Sequence, residues 1–411
     1  MSDMRIHVPP AARLVLGIGL VAISLFVAQM QHDRSVGTTW TPAIEPLASP
    51  AGPEASAPQL TTDGRRTFLS WLESSQDGTS LKFAERTGSG WSDVRTVKSA
   101  DNLVVNFADV PSVRLLADGT LTAHWLEEDG PDPEAYTLHV SRSKDGGLTW
   151  TPSMTPHHDG KQTQHGFASL FQAPGSGLGL VWLDGRAIAD TGDMGLQAAI
   201  FGTDGSQLSE VTVDARACEC CPTAAATTAE GVIVAYRDRS ASEVRDIAVT
   251  RLADGHWSEP TLVHADNWEI DACPVNGPAV SARDRAVAVA WFTAKDDEAR
   301  AFVAFSKDGG RTFGTPVRVD EGNTLGRVGV ELLSEGSAAV SWVDFSHQRA
   351  QVMVRRVDAD GSRGQAVHIA DATGNQFPRM AQGVGELLLA WTETADGSSR
   401  VHVARTVLPN P

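Results

Sequence analysis

An apolar run ending in an aromatic residue returns seven times along this 411-residue chain. The runs are TFLSW to Trp71, LTAHW to Trp125, LGLVW to Trp182, VIVAY to Tyr236, AVAVAW to Trp291, AAVSW to Trp342 and LLLAW to Trp391. They recur every 49 to 57 residues, about 53 on average, which is the mark of a repeat architecture built from small units that bury their apolar faces on one another.

Each copy has the same internal order. A short strand often opened by Pro (PSVRLL, PTAAAT, GPAVSA) leads through a Gly/Asp turn to the aromatic-ended strand. A polar loop, a third alternating strand (LHVSRS, IAVTRL, AFVAFS, VMVRRV, VHVART) and a fourth strand follow. Four short strands separated by tight turns make one antiparallel sheet, and sheets repeated at this period are the blades of a β-propeller. The expected fold is all-β, a seven-bladed propeller with blades starting near 58, 111, 168, 222, 277, 328 and 378. A six-bladed ring is the alternative. The seventh copy ends without a fourth strand, so residues 38–47 are expected to complete it and to cover an open sheet edge.

Two turns between third and fourth strands carry a sharper signature. Ser143-Lys-Asp145-Gly-Gly147-Leu-Thr-Trp150 and Ser306-Lys-Asp308-Gly-Gly310-Arg-Thr-Phe313 both fit S-x-D-x-G-x-T-[WF]. In such a hairpin Asp bonds turn amides, Gly supplies a positive φ and the aromatic packs inward. The pattern resembles the Asp-box of bacterial-neuraminidase (BNR) repeats, and with the blade order it looks like the sialidase-like propeller superfamily. That resemblance implies Asp-boxes on the face away from a site.

Upstream, residues 14–28, LVLGIGLVAISLFVA, are apolar and uncharged, with Arg5 and Arg13 before them. They read as a signal peptide or signal-anchor helix, with 1–37 forming a cytoplasmic tip, anchor and short linker, and 38–411 a single propeller. The domain is then expected in the periplasm or outside the cell, membrane-anchored, or secreted if the signal is cleaved. Lys and Arg number 34 against 51 Asp and Glu, a net charge of −17 with no basic cluster, which argues against a nucleic-acid partner.

A functional site is expected in the loops between blades and after each second strand, because loops carry function on a rigid scaffold. There lie His157, His158 and His165, Asp184 and Arg186, Arg237, Arg239 and Glu243, Arg327, and finally Asn375, Gln376 and Arg379. Arg186, Arg237, Arg239, Arg327 and Arg379 form a candidate ring for an anionic ligand such as an acidic glycan. All four cysteines, Cys218, Cys220, Cys221 and Cys273, fall at equivalent places in two neighbouring copies. Three readings apply to them: two disulfides, a thiolate site for copper or zinc with His165 as an added ligand, or a redox thiol.

The family resemblance implies a sialidase site of three arginines on the substrate carboxylate, a Tyr nucleophile paired with a Glu, and an Asp acid/base. Here Tyr236, Glu243 and Asp184 are the matching candidates, but the Phe/Tyr-Arg-Ile-Pro motif is absent, and Tyr236 stands where other copies carry a core Trp. The expected function is therefore an extracytoplasmic propeller that binds a glycan or other anionic ligand on its loop-rich face. The alternatives are an exo-sialidase or other glycoside hydrolase, and a Cys-ligated metal-binding or redox protein.

Overall fold

Seven antiparallel sheets make up the structure, a computed structural model that describes residues 40–346, 348–372 and 377–408. The apolar segment 14–28, the rest of residues 1–37, and Asn375 and Gln376 lie outside the described residues.

Blade one is Ala55–Thr62, Thr67–Ser75, Gly78–Glu85 and Arg95–Ala100; blade two is Ser112–Leu115, Leu121–Glu128 and Tyr136–Ser143. Blade three is His165–Gln172, Leu178–Asp184, Met194–Phe201 and Gln207–Ala217. Blade four runs Ala224–Thr228, Gly231–Arg237, Ile247–Ala253, then His256–Trp257 and Thr261–Leu262. Blades five and six are Ala279–Arg283, Ala286–Thr293, Arg300–Ser306, Val317–Arg318, and Thr324–Leu332, Ala338–Ser346, Arg349–Val357, Val367–Ala372. Blade seven holds Arg379–Gln382, Glu386–Ala395 and Ser398–Val407, and its outer strand is Glu45–Leu47, paired with Val403–Arg405 from the other end of the chain. The six-bladed alternative is set aside by these seven sheets.

The repeat is visible because the second strand of every blade is buried on both faces. Trp71, Trp182, Trp291 and Trp342 are at most 1% exposed, and the apolar clusters each join neighbouring blades, including seven with one. A buried indole needs an acceptor for its N–H. In blades one to three a carboxylate two residues on, and so on the same face of the strand, provides it: Trp71 donates to Glu73 (3.1 Å), Trp125 to Glu127 (2.8 Å) and Trp182 to Asp184 (2.7 Å).

Both Asp-box turns have the geometry their sequence implies. Asp145 accepts from the amides of Leu148 and Thr149 at 3.0 Å and from the Thr149 hydroxyl at 2.6 Å; Asp308 repeats this with Arg311 and Thr312. Gly147 sits at φ +90°, and Trp150 meets Phe83 of blade one edge-on, with ring centroids 6.1 Å apart. One expected strand is missing. Residues 149–156 contribute only a bridge between Met154 and Val140, because Pro152 and Pro156 lack the N–H groups that a ladder needs.

Candidate functional site

The segments leading into each inner strand, together with the loops after each second strand, share one end of the ring. The inner strands line a central cavity of about 660 Å³, and the segments leading into blades four, five and seven contribute Pro222, Gly277, Phe377 and Pro378 to its walls, with Arg379 beside them. The site begins at this end.

Arg327 lies in a bulge of blade six, at φ +56° beside Gly326. Its amide donates to Asn276 Oδ1 at 2.8 Å, and Asn276 Nδ2 donates to the Leu325 carbonyl at 3.3 Å. The segment leading into blade five thus fixes an unusual backbone conformation in blade six. The Arg327 guanidinium carbon lies 4.9 Å from the centroid of Phe377 and 5.5 Å from that of Phe107, two rings stacked 6.5 Å apart. Arg379 takes the same Phe377 ring at 5.4 Å. Burial pulls both arginines down to about 10, with the charge of Asp109 opposing this at Arg379. The Arg379 Nε is buried and meets no acceptor among the described residues.

Beneath them, Asp109 is pushed up to about 7 by burial, against the pull of the Phe167 amide (2.7 Å), the Tyr136 hydroxyl (3.3 Å) and the Arg379 charge. Deeper in the cavity Glu331 accepts from Ser281 Oγ at 3.1 Å, and burial pushes it to about 7.

Arg237, Arg186 and Arg239 direct guanidinium donors at protein groups. Arg237, 1% exposed, donates to the carbonyls of Asn276, Arg245 and Phe292 at 2.9, 2.5 and 2.7 Å and lies over Trp268. It holds backbone together, contrary to the ligand role expected of it. Arg186 forks onto Asp184 at 2.7 and 2.8 Å and reaches Glu210 at 2.7 Å. Arg239 grips Glu243 at 2.9 Å.

The candidate catalytic groups are likewise occupied. Tyr236 is buried in the core between blades three and four, its hydroxyl donating to Asp214; burial raises its pKa further, and Asp214 adds to this. Asp184 is fully buried between Trp182 and Arg186. Glu243 is shared by Arg239, Arg245 and Arg216, and the contacts with Arg239 first and Arg245 next hold its carboxyl down at about 2.

Cys220 and Cys273 form a disulfide with Cα atoms 6.1 Å apart, joining the segments that lead into blades four and five. Cys218 and Cys221 are free and buried. Disulfide sulfurs carry no thiolate charge, so a four-thiolate metal site is inconsistent with this pairing. Metal-ligating atoms within 4.8 Å of one another fall into two groups among the described residues, Cys218/Cys220/Cys221 and His157/Asp159/His165. His165 belongs to the second, which corrects its expected place as a ligand beside the cysteines. Its Nε2 lies 3.2 Å from Asp159, and its ring stacks on His157 at 3.7 Å.

Phe107, Phe377 and Asp109 are not marked out by the sequence: two are aromatic residues, and Asp109 stands between the apolar Ala108 and Val110. An aromatic residue standing alone in a polar inter-blade segment was the available signal.

The chain matches no family model, and no curated protein matches it. Among solved structures it is similar to the polysaccharide lyase Uly1, with a TM-score of 0.54, 10% identity, and 86% of this chain and 90% of that chain covered. The phage phi92 endosialidase aligns at TM-score 0.50 and 9% identity over 92% of this chain and 72% of its own. The α-L-arabinofuranosidase Arb93A from Fusarium graminearum aligns at 0.49 and 16% identity, covering 73% and 93%. At such identities the likeness is one of fold alone, a seven-bladed β-propeller.

Proposed function

We propose that this propeller binds an acidic glycan at the end of its central cavity, outside the cytoplasm, where the apolar segment 14–28 would hold it at the membrane. The observation carrying this reading is that Arg327 and Arg379 share the ring of Phe377, on which Phe107 stacks, and that Phe377 and Arg379 line that cavity. A sugar acid needs both kinds of surface. Its carboxylate pairs with guanidinium groups in a fork geometry, and its apolar ring face packs on aromatics. The solved structures similar in fold include proteins named for glycan chemistry, among them the phage endosialidase and the polysaccharide lyase.

Binding is favoured over hydrolysis because Tyr236, Glu243 and Asp184 are each held by neighbours rather than facing the cavity. The test is a panel of immobilised acidic and neutral glycans, combined with release of a fluorophore from a sialic-acid conjugate. Retention of acidic glycans without fluorophore release is expected. Equal retention of neutral glycans, or turnover, would defeat the reading.

A further inference from the structure

We propose that the four cysteines form a two-stage thiol–disulfide relay, in which a disulfide passes between an exposed pair, Cys220 and Cys273, and a buried C-x-x-C pair, Cys218 and Cys221. This activity is separate from glycan binding and uses none of Arg327, Arg379 or Phe377.

The spacing and packing of the sulfurs carry it. Cys273 is exposed and Cys220 half-buried, so their disulfide is open to an external thiol or disulfide. Cys218 and Cys221 are buried, with sulfurs 2.6 Å apart, inside the separation of two non-bonded sulfur atoms. Cys218 Sγ is also 3.9 Å from Cys220 Sγ, contact distance for attack on the exposed disulfide. Cys218 therefore touches both its own partner and the neighbouring bond. An arginine stands beside it: Arg245 Nη1 lies 3.5 Å from Cys218 Sγ and is held by Glu219 at 2.8 Å, while its Nη2 donates to Glu243 at 3.0 Å. A cation beside a cysteine favours the thiolate, which is the attacking form.

The exchange balances without an added oxidant. The Cys218 thiolate attacks Cys220 Sγ, a Cys218–Cys220 bond forms, the Cys220–Cys273 bond breaks, and Cys273 leaves as a thiolate that takes up the proton Cys218 gave up. The Cys221 thiolate then attacks Cys218 Sγ, and Cys220 leaves in the same way. The result is a buried disulfide and an exposed dithiol. The dithiol passes its two electrons to an external disulfide: Cys273 attacks one sulfur and expels a thiol, and Cys220 then resolves the mixed disulfide and expels the second. Run in reverse, the relay oxidises an external dithiol.

The experiment follows the disulfide through the full chain. The protein is reduced under native conditions, desalted, and given one equivalent of glutathione disulfide. Samples are quenched with N-ethylmaleimide over time, cleaved after Arg216 and Glu219, and mapped by mass spectrometry. Cys220–Cys273 is expected first and Cys218–Cys221 later, at the expense of the first. In Cys218→Ser the disulfide stays at Cys220–Cys273. In Cys273→Ser the buried pair oxidises at least roughly tenfold more slowly, because the probe has lost its port. A wild-type disulfide that never leaves Cys220–Cys273, or a buried pair that oxidises equally fast in Cys273→Ser, overturns the relay. The wild-type time course decides the matter even if a variant fails to fold.

Discussion

Arg327 and Arg379, 52 residues apart in sequence, hold their guanidinium carbons 4.9 and 5.4 Å from the centroid of the one ring of Phe377. Each arginine–aromatic contact is worth about 1 kcal/mol and also fixes where the guanidinium points. Phe377→Leu keeps an apolar side chain but removes that platform. Affinity for an acidic glycan is expected to fall roughly tenfold, measured by calorimetric titration, while the far-ultraviolet circular dichroism stays that of a β-protein.

Asp109 makes stability depend on pH with a definite sign. In the unfolded chain its carboxyl titrates near 3.9, and in the fold burial raises it to about 7. The native state therefore holds a proton that the unfolded state has lost between those values, and stability falls as pH rises through that window. The full cost above pH 7 is roughly 4 kcal/mol. Asp109→Asn, which keeps an acceptor for the Phe167 amide and the Tyr136 hydroxyl, should be more stable than wild type in urea at pH 8 and nearly equal to it at pH 4.

Asp184 is tied into the core of blade three. It accepts from Trp182 Nε1 at 2.7 Å and from the Arg186 guanidinium and amide, all in a fully buried position. Removing one partner of such a network leaves the others without compensation, so Asp184→Ala should cost about 3 kcal/mol in chemical denaturation. Asp184→Asn should recover part of that loss. Unchanged stability in Asp184→Ala would refute the assignment.

Gly147 shows how an Asp-box couples blades. Its φ of +90° already disfavours a side chain, and a Cβ there would run into the Phe83 ring of blade one. Gly147→Ala is expected to destabilise the protein by about 2 kcal/mol in thermal unfolding. Gly88→Ala, with open space around it and no positive φ, serves as the near-neutral control.

The blades were legible in the sequence because their second strands are buried on both faces. Trp71, Trp182, Trp291 and Trp342 end apolar runs that recur at one period because each is buried at the same place in its blade. The meeting of Cys220 and Cys273 follows from equal offsets in adjacent copies. Side-chain direction was not legible. Arg237 and Arg327 both lie at blade ends, yet one turns inward onto three carbonyls and the other onto two rings. A loop position fixes where a side chain starts, and the packing of neighbouring blades decides where its charged end goes. Blade two's outer edge shows the same limit: the repeat called for a fourth strand, but Pro152 and Pro156 leave a single bridge at Met154.

Calorimetric titration of the full chain with N-acetylneuraminic acid and with glucuronic acid, in parallel with Arg379→Ala, tests the binding site most directly. Saturable binding of at least one acid by the wild type is predicted, weakened about thirtyfold in the variant by loss of a charge-assisted contact worth about 2 kcal/mol. Wild-type protein that binds neither acid, or a variant that binds as tightly as wild type, would contradict it.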